Sequence, residues 1–284
     1  MHGDGLLRME DHNRQRKVAA INDFSGFGRC SLTVALPILS AMKIQCCPVP
    51  TAIFTNHTGF PSYAWTDCTD HLDDYVEQWK RLDLRFSAIS TGFLGSRRQI
   101  DFVFRFIEAF RTPDTLVLVD PVMGDYGRLY STYDDELAKS MRAFLDVADV
   151  LTPNLTEACV LADRPYSPDM TDGELEDLCD ALAVHAKHIV ISGIARGDDL
   201  VNYVYEKGSA SQVFSVKRIG ADRSGTGDVF VSALLGSLLN GASFIESVRR
   251  AALFVSKAVA RSEELGIPTH DGLAFEEVLS EIVA

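Results

Sequence analysis

Short runs of β-branched and apolar residues alternate along this chain with longer stretches whose apolar positions recur every three or four residues. The short runs predict strands at Lys17–Asn22, Ile44–Val49, Ser87–Thr91, Thr115–Asp120, Val147–Thr152 and His188–Ser192. The longer periods predict helices at Cys30–Met42, Ser96–Phe110, Thr156–Leu161 and Asp172–His185, lying between those strands. Strand, crossover helix, strand is the unit this order builds. Its repetition predicts an α/β fold with a mostly parallel sheet covered by helices on both faces.

Three stretches depart from the alternation. Val201–Tyr205 and Gln212–Lys217, separated by a Lys207-Gly208 turn, predict a β-hairpin, and Gly225–Asn240 and Phe244–Leu265 predict two long helices. Between Thr51 and Thr69 the chain is aromatic and turn-rich without a clean period, which suggests a lid or flap over one end of the sheet. Residues 1–16 are expected to form a disordered tail, and 17–284 a single domain built around one large core.

Charge narrows the partners. The 284 residues carry 27 Lys+Arg against 40 Asp+Glu, a net charge of −13 spread along the whole length. Nucleic acid is an unsuitable partner, because phosphate neutralisation needs a basic patch; the nearest approach, Arg14–Lys17, reads as a solvated lead into the first strand. An anionic substrate would be repelled by the overall field, so local dipoles and a metal would have to create its positive site. No apolar run approaches a membrane helix and the N-terminus lacks a signal peptide's apolar stretch, so the expected setting is the cytoplasm. Six cysteines without a C-x-x-C pair or zinc spacing read as reduced, mostly buried thiols.

Several motifs carry chemistry. Gly225-Thr226-Gly227-Asp228 opens an apolar helix, so its backbone N–H groups can face a bound anion with the helix dipole behind them. Asp228, in the first turn, stands where a carboxylate could take the proton of a hydroxyl attacking a phosphoryl group; equally, it could only complement the dipole. Asn154-Leu155-Thr156-Glu157 follows a strand, and its polar ends share a helical face. There they could organise hydrated Mg²⁺, but Asn at the N-cap with Glu three residues on is also a capping box, and the cap is the favoured reading of these residues alone. Asp120-Pro121-Val122-Met123-Gly124 ends a central strand at the edge where open α/β sheets bind ligands, or simply terminates that strand in a turn. His57 could hydrogen-bond a substrate ring or be a plain loop histidine, the favoured reading of the residue alone, and Phe54, Phe60, Tyr63 and Trp65 could wall a flat ligand or form a satellite core. Gly26-Phe27-Gly28 with Ser31 is a poor dinucleotide fingerprint, since no acidic residue ends the second strand, and no P-loop is present.

In this order, together with Thr91-Gly92-Phe93-Leu94-Gly95, these motifs resemble the ribokinase superfamily, and within it the pyridoxal (vitamin B6) kinases. The resemblance runs from about Val18 to Leu265. It implies a three-layer α/β/α sandwich and ATP-dependent phosphorylation of the 5′-hydroxyl of pyridoxal, pyridoxine or pyridoxamine. It implies Asp228 as base, with the amides of Gly225, Thr226, Gly227 and Asp228 neutralising the transferring phosphoryl. Asn154 and Glu157 would organise Mg²⁺ through water with Asp120 nearby, while a monovalent cation is left open. Ser192, Gly193 and the stretch before Gly225, including Asp222 and Ser224, would lie along the nucleotide. Asp23, Thr51, His57 and Phe93 would surround the pyridine ring, and the family commonly forms homodimers. Asp23 replaces a serine and Phe93 a tyrosine common in that branch; the aspartate resembles the polar residue of hydroxymethylpyrimidine kinases, which keeps that activity, or a non-catalytic binder, as the alternative.

Overall fold

The computed structural model describes residues 11–283. β1 (Lys17–Ser25) leads through α1 (Ser31–Ala41) to β2 (Gln45–Phe54), then β3 (Trp65–Asp67), α2 (Leu72–Arg81) and β4 (Ala88–Thr91). α3 (Arg97–Phe110) and β5 (Leu116–Val119) follow, then a small hairpin of β6 (Gly124–Asp125) and β7 (Arg128–Leu129), α4 (Asp135–Ser140) and β8 (Val150–Leu151). The chain continues through α5 (Leu155–Ala162), α6 (Asp172–Leu182), β9 (His188–Arg196), β10 (Asp199–Glu206), β11 (Gln212–Lys217), α7 (Thr226–Leu239) and α8 (Phe244–Glu264). Residues 1–10 of the expected tail lie outside the described residues. Within 11–16, Asn13 donates to the Asp83 carbonyl at 2.8 Å and accepts from the Arg85 N–H at 2.9 Å.

One nine-stranded sheet runs β11-β10-β9-β8-β5-β4-β1-β2-β3. The central strands from β9 to β2 are parallel, and antiparallel β10, β11 and β3 form the two margins. Alternation along β1 assigns the two cores: Ala19 and Ile21 point to the layer of α2 to α6, and Val18 and Ala20 to the layer of α1, α7 and α8. The predicted α/β sandwich is therefore the observed fold. α7 is buried from Val229 to Ser237 because α1 and α8 pack on either side of it, which explains why its sequence is apolar on all faces.

From β1 the chain steps outward to β2, and the next parallel strand, β4, returns to the other side of β1. A crevice opens at the carboxyl ends of the strands where that direction reverses. Asn22 and Asp23 end the regular pairing of β1 there, Phe93 follows β4, Asp120 follows β5 and Thr152 follows β8. No described helix is long and apolar enough to cross a membrane. All six cysteines are free thiols; Cys47 is partly exposed and the others are buried.

Candidate active site

A cleft of about 560 Å³ lies over that crevice. One end, where the ring is expected, is walled by Asp23, Phe54, His57 and Phe93, its middle by Asp120, Glu157 and Asp228, and its far end by Ser192, Gly193, Arg218, Asp222 and Ser224. Thus Asn154, Glu157, Ser192, Gly193, Asp222, Ser224 and Gly225–Asp228 converge, with Asp23, Asp120, His57 and Phe93. Thr51 is the exception. It is fully buried behind the wall, where its hydroxyl donates to the Phe93 carbonyl at 3.0 Å and its own carbonyl accepts from Gln99.

Most helix starts are capped by a side chain. Side chains cap α3, α4, α5, α6 and α8 through Ser96, Asp134, Asn154, Thr171 and Ser243. α1, α2 and α7 begin without such a cap, and of these α1 and α7 open beside the cleft. The first N–H groups of α7 therefore retain donor capacity for an anion, whereas the Ser31 N–H of α1 faces the Asp228 carboxylate. Gly225 sits at φ 74°, and a Cβ there would lie 1.8 Å from the Arg29 carbonyl oxygen, so the tight approach of α7 to α1 requires glycine. A Cβ on Gly227 would meet nothing within 4 Å.

The middle of the cleft concentrates acid. Burial pushes the Asp228 carboxyl up to about 7, helped by Asp23 nearby, while the Ser31 backbone N–H and then the Asn22 amide at 3.4 Å oppose the shift. Burial, and then the Asp228 charge, push Asp120 up to about 8 despite the Thr152 hydroxyl donating at 2.9 Å. Burial, and then Asp120, raise Glu157 well above the ordinary carboxylate range. Its two oxygens accept from the N–H groups of Met123 at 3.0 Å and Asn154 at 2.9 Å, and the Asn154 side chain accepts the Glu157 N–H at 3.0 Å. The capping box favoured from sequence is therefore present. The Asn154 amide also donates to the Gly124 carbonyl at 2.7 Å, pinning the β6–β7 hairpin to the start of α5.

Cations at the far wall are committed elsewhere. Lys217 pairs with Asp199, Arg218 with Asp222, and buried Arg223 with Glu263 and the carbonyl of Ile267. The phenol of Tyr126, at the hairpin tip, reaches across to Asp222.

At the ring end, polar groups are largely satisfied by the protein. Asp23 accepts the Ser31 hydroxyl at 2.5 Å and the Ser25 hydroxyl at 3.0 Å; burial raises its proton affinity and these hydroxyls oppose the rise. His57 Nδ1 accepts the Gly59 N–H at 3.1 Å, and Nε2 lies 2.7 Å from the His270 carbonyl, to which it donates. Both ring nitrogens are used, so His57 offers the cleft a surface rather than a hydrogen bond. The aromatic stretch does form a flap: β3 pairs with the end of β2, and Trp65 stacks on Phe54 at 5.6 Å. Sequence reasoning missed Asn22, Ser25, Tyr126 and Tyr130, which also line the cleft. Asn22 and Ser25 flank Asp23 and Phe24 in an ordinary strand, and only the neighbouring glycine turn pointed near them.

Residues 36–272 match the family model described as phosphomethylpyrimidine kinase. A pyridoxine/pyridoxal/pyridoxamine kinase of Bordetella avium is 30% identical over 264 residues, 86% of each protein. A pyridoxal kinase of Arabidopsis thaliana is 32% identical over 200 residues, 66% of this chain and 63% of that enzyme. A candidate phosphomethylpyrimidine kinase of Bacteroides thetaiotaomicron, crystallised with pyridoxal, superposes with a TM-score of 0.91 at 39% identity, covering 95% of this chain and 96% of that one. The chain belongs to the phosphomethylpyrimidine kinase family of the ribokinase superfamily, on its pyridoxal kinase branch.

Proposed function

We propose that this kinase transfers the γ-phosphoryl group of ATP to the 5′-hydroxyl of a B6 vitamer in vitamin B6 salvage, with Asp228 as the base. The observation that carries the reading is the opening turn of α7. It joins an uncapped helix N-terminus, an unobstructed Gly227 and a buried carboxylate in one turn, midway between a flat aromatic-walled end and an extended far end of the same cleft. A hydroxyl at Asp228 and a phosphoryl group at the N–H groups of Gly225–Asp228 would meet in line. Such transfer needs positioning and charge neutralisation more than covalent help from the protein.

A divalent cation suits the middle of the cleft. Asp120, Glu157 and Asp228 are buried together, and burial raises the proton affinity of each, so the donor set is hard oxygen with negative charge in excess. Among the described residues no group of three or more His, Cys, Asp or Glu side chains is placed to hold a metal ion by itself. That pattern favours Mg²⁺ held by one or two carboxylates, water and phosphate oxygens. Asp120 and Glu157 would hold it, Asn154 would orient Glu157, and the ion would supply neutralisation of phosphate charge. Ser192, Gly193, Asp222 and Ser224 would flank the nucleotide; Asp23, His57 and Phe93 would shape the ring site, with Thr51 supporting Phe93. The same reading carries a cytoplasmic homodimer.

ADP release from ATP and Mg²⁺ with pyridoxal, pyridoxine, pyridoxamine and hydroxymethylpyrimidine tests it. Turnover on a vitamer, abolished in Asp228→Asn, is expected. Turnover on hydroxymethylpyrimidine alone would replace the vitamer, an outcome that the family match and Asp23 keep in play. Silence across the panel would leave a binding protein.

A further inference from the structure

Asn22 has three hydrogen-bonding partners, and they fix the direction of its amide. Its Oδ1 receives two backbone N–H groups, from Asp23 at 2.9 Å and from Phe93 at 2.8 Å. Only an oxygen can accept both, so the other end of the amide must be the nitrogen. That nitrogen faces Oδ1 of Asp228 at 3.4 Å. Among the described residues no other side chain hydrogen-bonds the Asp228 carboxylate, which the backbone N–H of Ser31 also stabilises and which the Asp23 charge opposes.

The seat of the amide is equally specific. A Cβ on Gly92 would lie 2.3 Å from the Asn22 nitrogen and 2.4 Å from its carboxamide carbon, so the side chain lies flat against the Gly92 backbone. The register of β1 against β2 shifts between Asn22 and Phe24, which marks the point where β1 leaves regular pairing to reach the cleft. One amide thereby ties the backbone before Asp23, the backbone at Phe93 and the carboxylate of Asp228. Two of these belong to the ring end and one to the phosphoryl end.

We infer that Asn22 is a positioning residue for the transfer: it aims the Asp228 carboxylate and locks it in register with the pocket that holds the acceptor alcohol. The inference rests on the reading of Asp228 as base. Its cost on removal should fall on the reacting geometry rather than on either ligand alone, because the bond to Asp228 is internal to the protein.

Asn22→Asp preserves shape and retains an acceptor for both backbone N–H groups, while exchanging the donor at Asp228 for an oxygen. When ionised, that oxygen also repels the base, so kcat is compared above the raised apparent pKa in a pH profile. We expect kcat to fall roughly 10- to 100-fold with KM for ATP and vitamer within about threefold, the scale of a lost hydrogen bond to a charged group. Gly92→Ala displaces the amide without altering its chemistry and should give the same split between kcat and KM. Thermal melting and ATP binding, measured on both variants, separate this from failure to fold. Unchanged kcat in folded Asn22→Asp, beside an inactive Asp228→Asn, would overturn the positioning role and leave the base assigned. Full turnover in Asp228→Asn would instead remove the base reading on which the inference stands. Equal loss in kcat and in affinity for both ligands would make Asn22 a general structural residue and also overturn it.

Discussion

The two ends of the cleft handle polar groups in opposite ways. At the ring end, His57 has both nitrogens engaged, Asp23 receives two serine hydroxyls, and Thr51 is spent on the Phe93 carbonyl. At the phosphoryl end, which begins at the middle of the cleft, the α7 N-terminus is uncapped, Gly227 faces open space, and three carboxyls sit buried without a paired cation among the described residues, although Glu157 accepts two backbone N–H groups. A polar group satisfied by the protein defines shape, whereas one left with spare capacity in a buried setting awaits a ligand. On the proposed reading the ring end would select mainly by fit, with Asp23 as its charged contact, and the phosphoryl end by charge. Changes at the second should strike turnover, and changes at the first should strike affinity and stability.

The largest test of that contrast is Asp228→Asn, which is expected to lower turnover roughly 10²- to 10⁴-fold, the usual scale for a general base. ATP affinity, measured by titration, should stay within a few-fold. Loss of binding with preserved turnover would reverse the assignment of the two ends. Gly227→Ala comes next. Alanine exceeds glycine in helix propensity by up to about 1 kcal/mol, and no protein atom obstructs the new methyl, so the melting temperature should hold or rise. The methyl would project where phosphoryl oxygens are expected, so kcat/KM should fall about tenfold or more. Gly225→Ala, by contrast, should destabilise the fold, since its φ of 74° and the Arg29 carbonyl both exclude a Cβ.

How far the sequence could reveal this division depends on which kind of residue is in question. Gly225, Gly227 and Asp228 were legible because a glycine turn followed by a first-turn carboxylate marks a helix start, and Asn154 with Glu157 because a cap demands that spacing. The parallel sheet was legible from its alternating apolar runs. α2 was overlooked although Leu72, Tyr75, Val76 and Trp79 stand at i, i+3, i+4 and i+7, because it is a single ten-residue helix that follows the aromatic, turn-rich stretch without a predicted strand before it. β6 and β7, two residues each, fall below any periodic signal. Asn22 looked like any polar residue in a strand, since its role comes from Gly92 and Asp228, which the chain brings from 70 and 206 positions away. Thr51 was placed at the ring by resemblance, but strand alternation and its bond to Phe93 turn it behind the wall.

The buried acids give the comparison a pH axis. Unfolded carboxyls titrate near about 3.9, whereas Asp228 and Asp120 are raised to about 7 and about 8 in the fold. Between those limits the native state holds protons that the unfolded chain has released, so stability falls as pH rises from about 4 to about 8. The ligand-free protein should therefore melt at a lower temperature at pH 8 than at pH 5, and Asp120→Asn should flatten that slope. Activity runs the other way, because the base must be ionised: kcat/KM should decline below pH about 7. A melting temperature that rises with pH across this interval would mean the carboxyls are compensated within the protein, and the phosphoryl end would lose its distinction from the ring end.

The smallest effect belongs to Thr51→Val. It removes the hydroxyl that donates to the Phe93 carbonyl while nearly preserving volume, at a stability cost of about 1 kcal/mol. Phe93 would then be less firmly held against Phe54 and Tyr133, its edge-on neighbours at 6.0 and 6.2 Å. KM for the vitamer should rise a few-fold with kcat unchanged, because fit at the ring end is the only property disturbed. A fall in kcat at constant KM would show that the position of Phe93 reaches the base, and Asn22, which accepts the Phe93 N–H and donates to Asp228, is the connection through which it would do so.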